Sequence, residues 1–444
     1  MRAPESRERG KIEVDTNKVS LRWAFIVPAA LLLTALLSSC TFHPPQPNFD
    51  LCEEFEQLPL TAVSGDPPAV VFEDPGTIKV MHGSGNARRA DGHFIKVQQS
   101  SELPDYANQA TVFLNGWDLS YAGSDHHVGG LGTLVARVRV EPRKLTWNAV
   151  GILAENNQDE AYNWTYYYTI VAWNDANLHA MVDHNDAEFY CKTKEADGSD
   201  NFFQANNSAM STALSCFPSF LSNAAFASGR TVAVLPRGFG FVWSDRDHHL
   251  RQLGYNLESS EAFIHHQVFD KFFYYKALNG KMNPLPTPPT ARAGSGFVSW
   301  NSYAIMKDDD DRRGYAFADW SPAWGGSDVS IIQPAFSIEP QGGSNPVASG
   351  IKTKPEEVVV DNIPYKYAIP MLTGWDIGYE GTDQHVKQIG IWIDEIKWTP
   401  GDPTRTLRYK VSSMVRDNDS DPPNYLRHKV TILGLGPATG AQIK

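Results

Sequence analysis

The sequence predicts an all-β fold built as three tandem β-sandwich repeats, and three observations predict it. The first is composition: 12 Trp, 17 Tyr and 22 Phe alongside 34 Gly and 29 Pro spread through the chain favour strands broken by turns over long helices. The second is a pattern written three times, beginning at Gly116, Gly238 and Gly374. An aromatic follows each Gly (Trp117, Phe239, Trp375) and a second comes four residues later (Tyr121, Trp243, Tyr379). Then come Asp-x-His-aliphatic (Asp125 to Val128, Asp247 to Leu250, Asp383 to Val386) and a closing Gly at 132, 254 and 390. First Gly to Asp is nine residues and first Gly to closing Gly is sixteen in every copy (125−116, 132−116 and their counterparts). The third observation is spacing: copies start 122 and 136 residues apart (238−116, 374−238), enough for a sandwich and far more than one solenoid rung.

Taken in order, residues 1–39 read as a secretory signal. Arg2, Arg7, Arg9, Lys11, Lys18 and Arg22 precede an apolar run from Trp23 to Leu37, which is shorter than the ~20 residues of a spanning helix. The run ends in Leu37-Ser38-Ser39-Cys40, which resembles the lipobox of bacterial lipoproteins. That resemblance implies cleavage before Cys40, a diacylglycerol thioether on its sulfur, and a place in the bacterial cell envelope at the outer membrane or cell surface. An uncleaved membrane anchor is the alternative, and either way the membrane is a partner. Residues 40–52 contain Phe42-His-Pro-Pro-Gln-Pro47, a stiff extended tether. An oxidising compartment permits a disulfide, and Cys191 with Cys216 is the expected pair, leaving Cys52 free or paired between molecules.

The body divides into 53–175, 176–335 and 336–444, with the polar stretch around Cys191 and Cys216 as an insertion in the second unit. Ala69–Phe72, Thr77–Val80 and Phe94–Val97 read as the opening strands of unit one. Within the pattern, alternation puts Trp117, Leu119 and Tyr121, and their counterparts, on one face of a strand. A tight Asp-x-His loop and a second strand follow, as in Leu131–Val140 and Ile389–Trp398. Counting from Trp147, Trp300 and Tyr409, acidic or amide residues recur eight and ten positions on, at Glu155 and Asn157, Asp308 and Asp310, Asp417 and Asp419, with Asp421 further along.

The sharpest site candidates are the loop pairs Asp125/His127, Asp247/His249 and Asp383/His385, a carboxylate and an imidazole able to serve a metal, sugar hydroxyls or proton transfer. The same residues can fix the loop with no ligand. Tyr121, Trp243 and Tyr379 are either a core face or a sugar-stacking platform, and stacking requires open ring faces. Asp308, Asp310, Asp417, Asp419 and Asp421 offer oxygens that suit Ca²⁺, although neither the Gly at loop position six nor the Glu at twelve of an EF-hand is present. A solvated acidic hairpin tip explains those residues equally well. A net charge of −12 with no basic cluster in the body excludes a phosphate-binding footprint, so nucleic acid is not an expected partner.

Gly-x-Ser-x-Gly, His-Glu-x-x-His and phosphate-cradling glycine loops are absent from the sequence. Three equal sites favour binding with avidity over turnover. The body is loosely similar to jelly-roll or H-type lectin-like sandwiches, which implies an extracellular ligand, carbohydrate first. A structural envelope protein that binds other protein subunits, and a secreted hydrolase using one Asp/His site, are the alternatives.

Overall fold

The computed structural model describes residues 58–90, 94–155, 160–174, 235–242, 249–257, 296–307, 356–363, 365–379, 384–417 and 424–435, with short strand segments between 179 and 347. The signal, the tether and all four cysteines lie outside the described residues. Every regular element that is described is a strand, as the composition and alternation predict.

Repeat one supplies β1 (Ala69–Asp74), β2 (Ile78–Arg89), β3 (Phe94–Glu102), β4 (Gln109–Tyr121), β5 (Gly130–Glu141), β6 (Lys144–Ala154) and β7 (Tyr162–Trp173). Around the motif of repeat two lie β8 (Gly238–Val242), β9 (Gln252–Leu257) and β10 (Gly296–Lys307). Repeat three gives β11 (Glu356–Val360), β12 (Tyr367–Tyr379), β13 (Gln388–Lys397), β14 (Leu407–Arg416) and β15 (Asn424–Leu435).

Repeat one is a sandwich. Trp164 of β7 lies on Gly151 of β6, so close that a Cβ there would come within 2.3 Å of the indole. Its Nε1 donates to Thr133 Oγ1 at 3.2 Å, and the Tyr162 hydroxyl donates to Gly151 O at 3.0 Å. Burying these rings removes most of their apolar area from water, and their polar tips are satisfied inside.

The sheets do not stop at the repeat boundaries. The motif's first strand pairs with the motif's second strand of the preceding repeat, and repeat one closes onto repeat three: β4 with β13, β8 with β5, β12 with β9. Register is the same each time, with Asp118 opposite Gly390, Gly240 opposite Gly132 and Asp376 opposite Gly254. The resulting orders are β1-β2-β7-β4-β13-β14-β11 in one sheet and β8-β5-β6-β3 in another. A third, nine-stranded sheet has β10-β9-β12-β15 at its middle. Sandwich packing holds as expected, but the chain from Pro45 onward is one compact unit in which the repeats exchange strands around a pseudo-threefold axis.

Two devices lock this exchange. Gly390 passes so near β4 that a Cβ would sit 2.6 Å from Asp118 Cα, which explains the closing glycine. Beside it, Gln388 Nε2 donates to both Asp118 carboxylate oxygens (3.1 and 2.8 Å), and Gln252 does the same for Asp376 (3.0 and 3.1 Å). At the third junction Gly240 and Gly130 occupy the corresponding positions, so neither partner is left without its complement.

β4 and β12 each bulge just before the first Gly of the motif. The extra residue in β4, Asn115, reaches repeat three: its Oδ1 accepts from Leu372 N at 2.9 Å and its Nδ2 donates to Pro370 O at 3.0 Å.

Candidate functional site

Along the axis, the same motif position of each repeat meets its counterparts. Trp117, Phe239 and Trp375 pack with ring centroids 5.1, 5.1 and 4.9 Å apart, all buried. Leu119, Phe241 and Ile377 follow on the same strand faces, fully buried, as alternation requires. Beyond them the Asp-x-His loops meet, and His127, His249 and His385 stand together with centroids 4.3, 4.6 and 4.7 Å apart. A side-chain nitrogen from each ring lies within 4.8 Å of the other two. Here the axis reaches solvent, with His127 exposed and the other two half-buried.

Backbone pairing between repeats holds the loops. His126 and Val386 exchange N–H···O bonds at 3.1 and 2.9 Å, and Leu250 and Gln384 do so at 2.8 and 3.0 Å. Val128, Leu250 and Val386, each following its histidine, are fully buried and anchor the loops from below.

The two described tyrosines of the motif also serve this scaffold. The Tyr379 hydroxyl bonds His385 O at 3.0 Å and Arg416 O at 2.9 Å; Tyr121 bonds His127 O at 3.3 Å and Ala154 O at 3.5 Å. Their rings are 1% and 2% exposed, so the open faces that sugar stacking requires are not there. Burial pushes the Tyr379 hydroxyl pKa well up, and the Asp417 and Asp125 carboxylates add to it.

Asp125 reaches a histidine of another repeat. Its Oδ2 lies 3.5 Å from His385 Nδ1, and the carboxylate is almost wholly buried while the imidazole is partly open. Next to His127, His126 has Glu155 Oε2 3.1 Å from its Nδ1, while Ser124 Oγ lies 3.0 Å and Glu160 Oε1 3.6 Å from its Nε2. Lys387 caps the same loop, donating from Nζ to Tyr121 O at 2.6 Å and to Gly123 O, and burial lowers its pKa.

Glu155 and Asp417, the first acidic positions after Trp147 and Tyr409, are each 5% exposed and lie beside the His loops instead of on solvated tips. In the sequence the acidic recurrence is a feature separate from the loops; in the fold Glu155 and Asp417 lie at the same end of the axis as the histidines. Trp243, Asp247, Asp383, Asp308, Asp310, Asp419 and Asp421 lie outside the described residues. Ser124, Glu160 and Lys387 carried no repeating signal, because each stands in a position that changes between copies.

No protein family, curated protein or solved structure matches the chain. The functional reading therefore rests on the site itself.

Proposed function

We propose that the chain is a surface-anchored lipoprotein that binds an extracellular ligand, carbohydrate, at one composite site made by the Asp-x-His loops of all three repeats. The observation that carries this is the meeting of His127, His249 and His385 at the exposed end of the axis. One shared site replaces the three weak sites that the repeated sequence suggests. Imidazole nitrogens, the Ser124 hydroxyl and the Gln384 amide supply donors and acceptors for hydroxyl groups. Among the described residues recognition is by hydrogen bonds, since the Tyr121 and Tyr379 rings are closed. The anchor rests on Leu37-Ser-Ser-Cys40.

A glycan array probed with full-length protein tests the reading. In a composite site, His127→Ala, His249→Ala and His385→Ala each abolish binding with the fold intact by circular dichroism. Three independent sites would instead lose one share of capacity per variant.

One observation favours a hydrolase as a second reading. Ser124 Oγ, His126 and Glu155 form a hydroxyl–imidazole–carboxylate series through opposite ring nitrogens, with bonds of 3.0 and 3.1 Å. Repeat two has Arg246, His248 and Asp308 at these positions and repeat three has Thr382, Gln384 and Asp417, so repeat one alone holds all three groups. A fluorophosphonate probe should then label Ser124, and Ser124→Ala and His126→Ala should remove the label. An unlabelled wild-type protein would retire this reading.

A further inference from the structure

We propose that His127, His249 and His385 together hold one divalent transition-metal ion of the zinc class, with the ligand-facing coordination position open to solvent. The inference rests on the reading of this end of the axis as the binding face, and it names the chemistry of that face.

The donor set comes first. Among the described residues three imidazoles converge and no carboxylate joins the trio. Nitrogen-only sets suit Zn²⁺, Co²⁺, Ni²⁺ and Cu²⁺, whereas Ca²⁺ requires oxygens, so the cation expected from the acidic positions is the wrong class for this site.

Geometry supports the same ion. Metal–nitrogen bonds of about 2.0–2.1 Å in a tetrahedral centre place ligand nitrogens about 3.3 Å apart. His127 Nε2 and His249 Nε2 are 3.0 Å apart, and no pair in the trio exceeds 4.8 Å. Small ring rotations close the remaining gap. A bond between two imidazoles accounts for His127 and His249 but gives no reason for a third ring 4.6 and 4.7 Å from both.

The surroundings are those of a built site. The tyrosine hydroxyls bond the main-chain carbonyls of two ligands, His127 and His385, and inter-repeat backbone pairs flank the loops. Asp125 lies at His385 Nδ1, which leaves Nε2 as the nitrogen to ligate the ion and would make the carboxylate–histidine–metal arrangement that orients ligands and raises their basicity. Three protein ligands leave a fourth position, and the exposure of His127 opens it to a hydroxyl of the bound ligand.

Full-length protein in detergent, stripped with chelator, is titrated with Zn²⁺ against a chromophoric chelator and separately with Co²⁺ followed by visible absorption. One Zn²⁺ per chain and an intense tetrahedral Co²⁺ band are expected. Both should be lost in His127→Ala, His249→Ala and His385→Ala, while Asp125→Ala should weaken affinity about 10- to 100-fold. His→Gln variants at the same positions serve where an Ala variant fails to fold. No uptake, or uptake that survives these substitutions, overturns the proposal. Metal uptake without any glycan binding keeps the proposal and discards carbohydrate; glycan binding by a protein that takes up no metal keeps the binding reading and discards the ion.

Discussion

Tyr379 and Tyr121 occupy the same motif position and do the same job with different bond lengths, which makes them a matched pair. The Tyr379 hydroxyl lies 3.0 and 2.9 Å from its two carbonyls, and that of Tyr121 lies 3.3 and 3.5 Å from its own. Removing a buried hydroxyl that satisfies main-chain acceptors costs about 1–3 kcal/mol. Tyr379→Phe should therefore lower the urea midpoint more than Tyr121→Phe, and the reverse order would contradict the scaffold role. His82 makes a second prediction at this scale. Burial lowers its pKa to about 4, against which the Ile393 backbone bond acts, and Nδ1 lies 3.0 Å from Thr169 Oγ1. A depressed histidine pKa means that the unfolded state takes up the proton first. Stability from this group is intact above its unfolded value, falls as pH drops from about 6.5, and levels off below about 4. With the ring partly open to solvent, the loss by pH 4 is about 2 kcal/mol. His82→Gln should flatten the urea-midpoint profile by that amount relative to wild type; parallel profiles would exclude His82 as the titrating group.

At the scale of strands, the closing glycine separates packing necessity from loop convenience. A methyl at Gly390 must displace β4 backbone 2.6 Å away, whereas one at Gly76, with φ +82°, meets open space. Gly390→Ala should cost about 3 kcal/mol or more by forcing β4 and β13 apart, and Gly76→Ala only about 1 kcal/mol of backbone strain. Comparable losses in thermal unfolding would mean that the β4–β13 junction yields more easily than its contacts indicate. This junction also marks where the sequence stops being legible. Alternation states which face of Trp117-Asp-Leu-Ser-Tyr121 is buried, but not which strand lies beside it, because pairing partners leave no periodicity. One signal was present in the copies. Within a repeat only Asp376 and Gln388 match, while Asp118 goes with Gly130 and Gly240 with Gln252. Taken against the preceding repeat, Asp118 matches Gln388, Asp376 matches Gln252 and Gly240 matches Gly130. The His cluster was hidden for a related reason: each loop offers a single imidazole at its histidine position, and only the exchange of strands brings the three together.

For the whole molecule, strand exchange decides how stability is shared. β4 of repeat one is hydrogen-bonded to β13 some 270 residues later (Gln388 opposite Ser120), and β12 of repeat three to β9 of repeat two. Among the described residues no repeat carries a complete sheet of its own around the axis, and one continuous cluster of buried residues runs from Phe72 to Leu435. Independent tandem sandwiches would unfold in separate steps and would tolerate loss of the last one. Exchanged sheets predict the opposite. A chain ending at residue 335 loses β12 and β13 together, which strips β4 of its partner on one side, uncovers Trp117 and Phe239, and leaves His127 and His249 without His385. Exposing that much aromatic surface at an unpaired strand edge removes most of the stability a domain of this size holds and invites aggregation. Full-length protein should therefore melt in one calorimetric transition, and the truncated chain should show no cooperative transition at all. A truncated chain that kept a sharp melt would mean that repeats one and two fold without the third, and that the axis is a contact between finished domains instead of the feature that completes them.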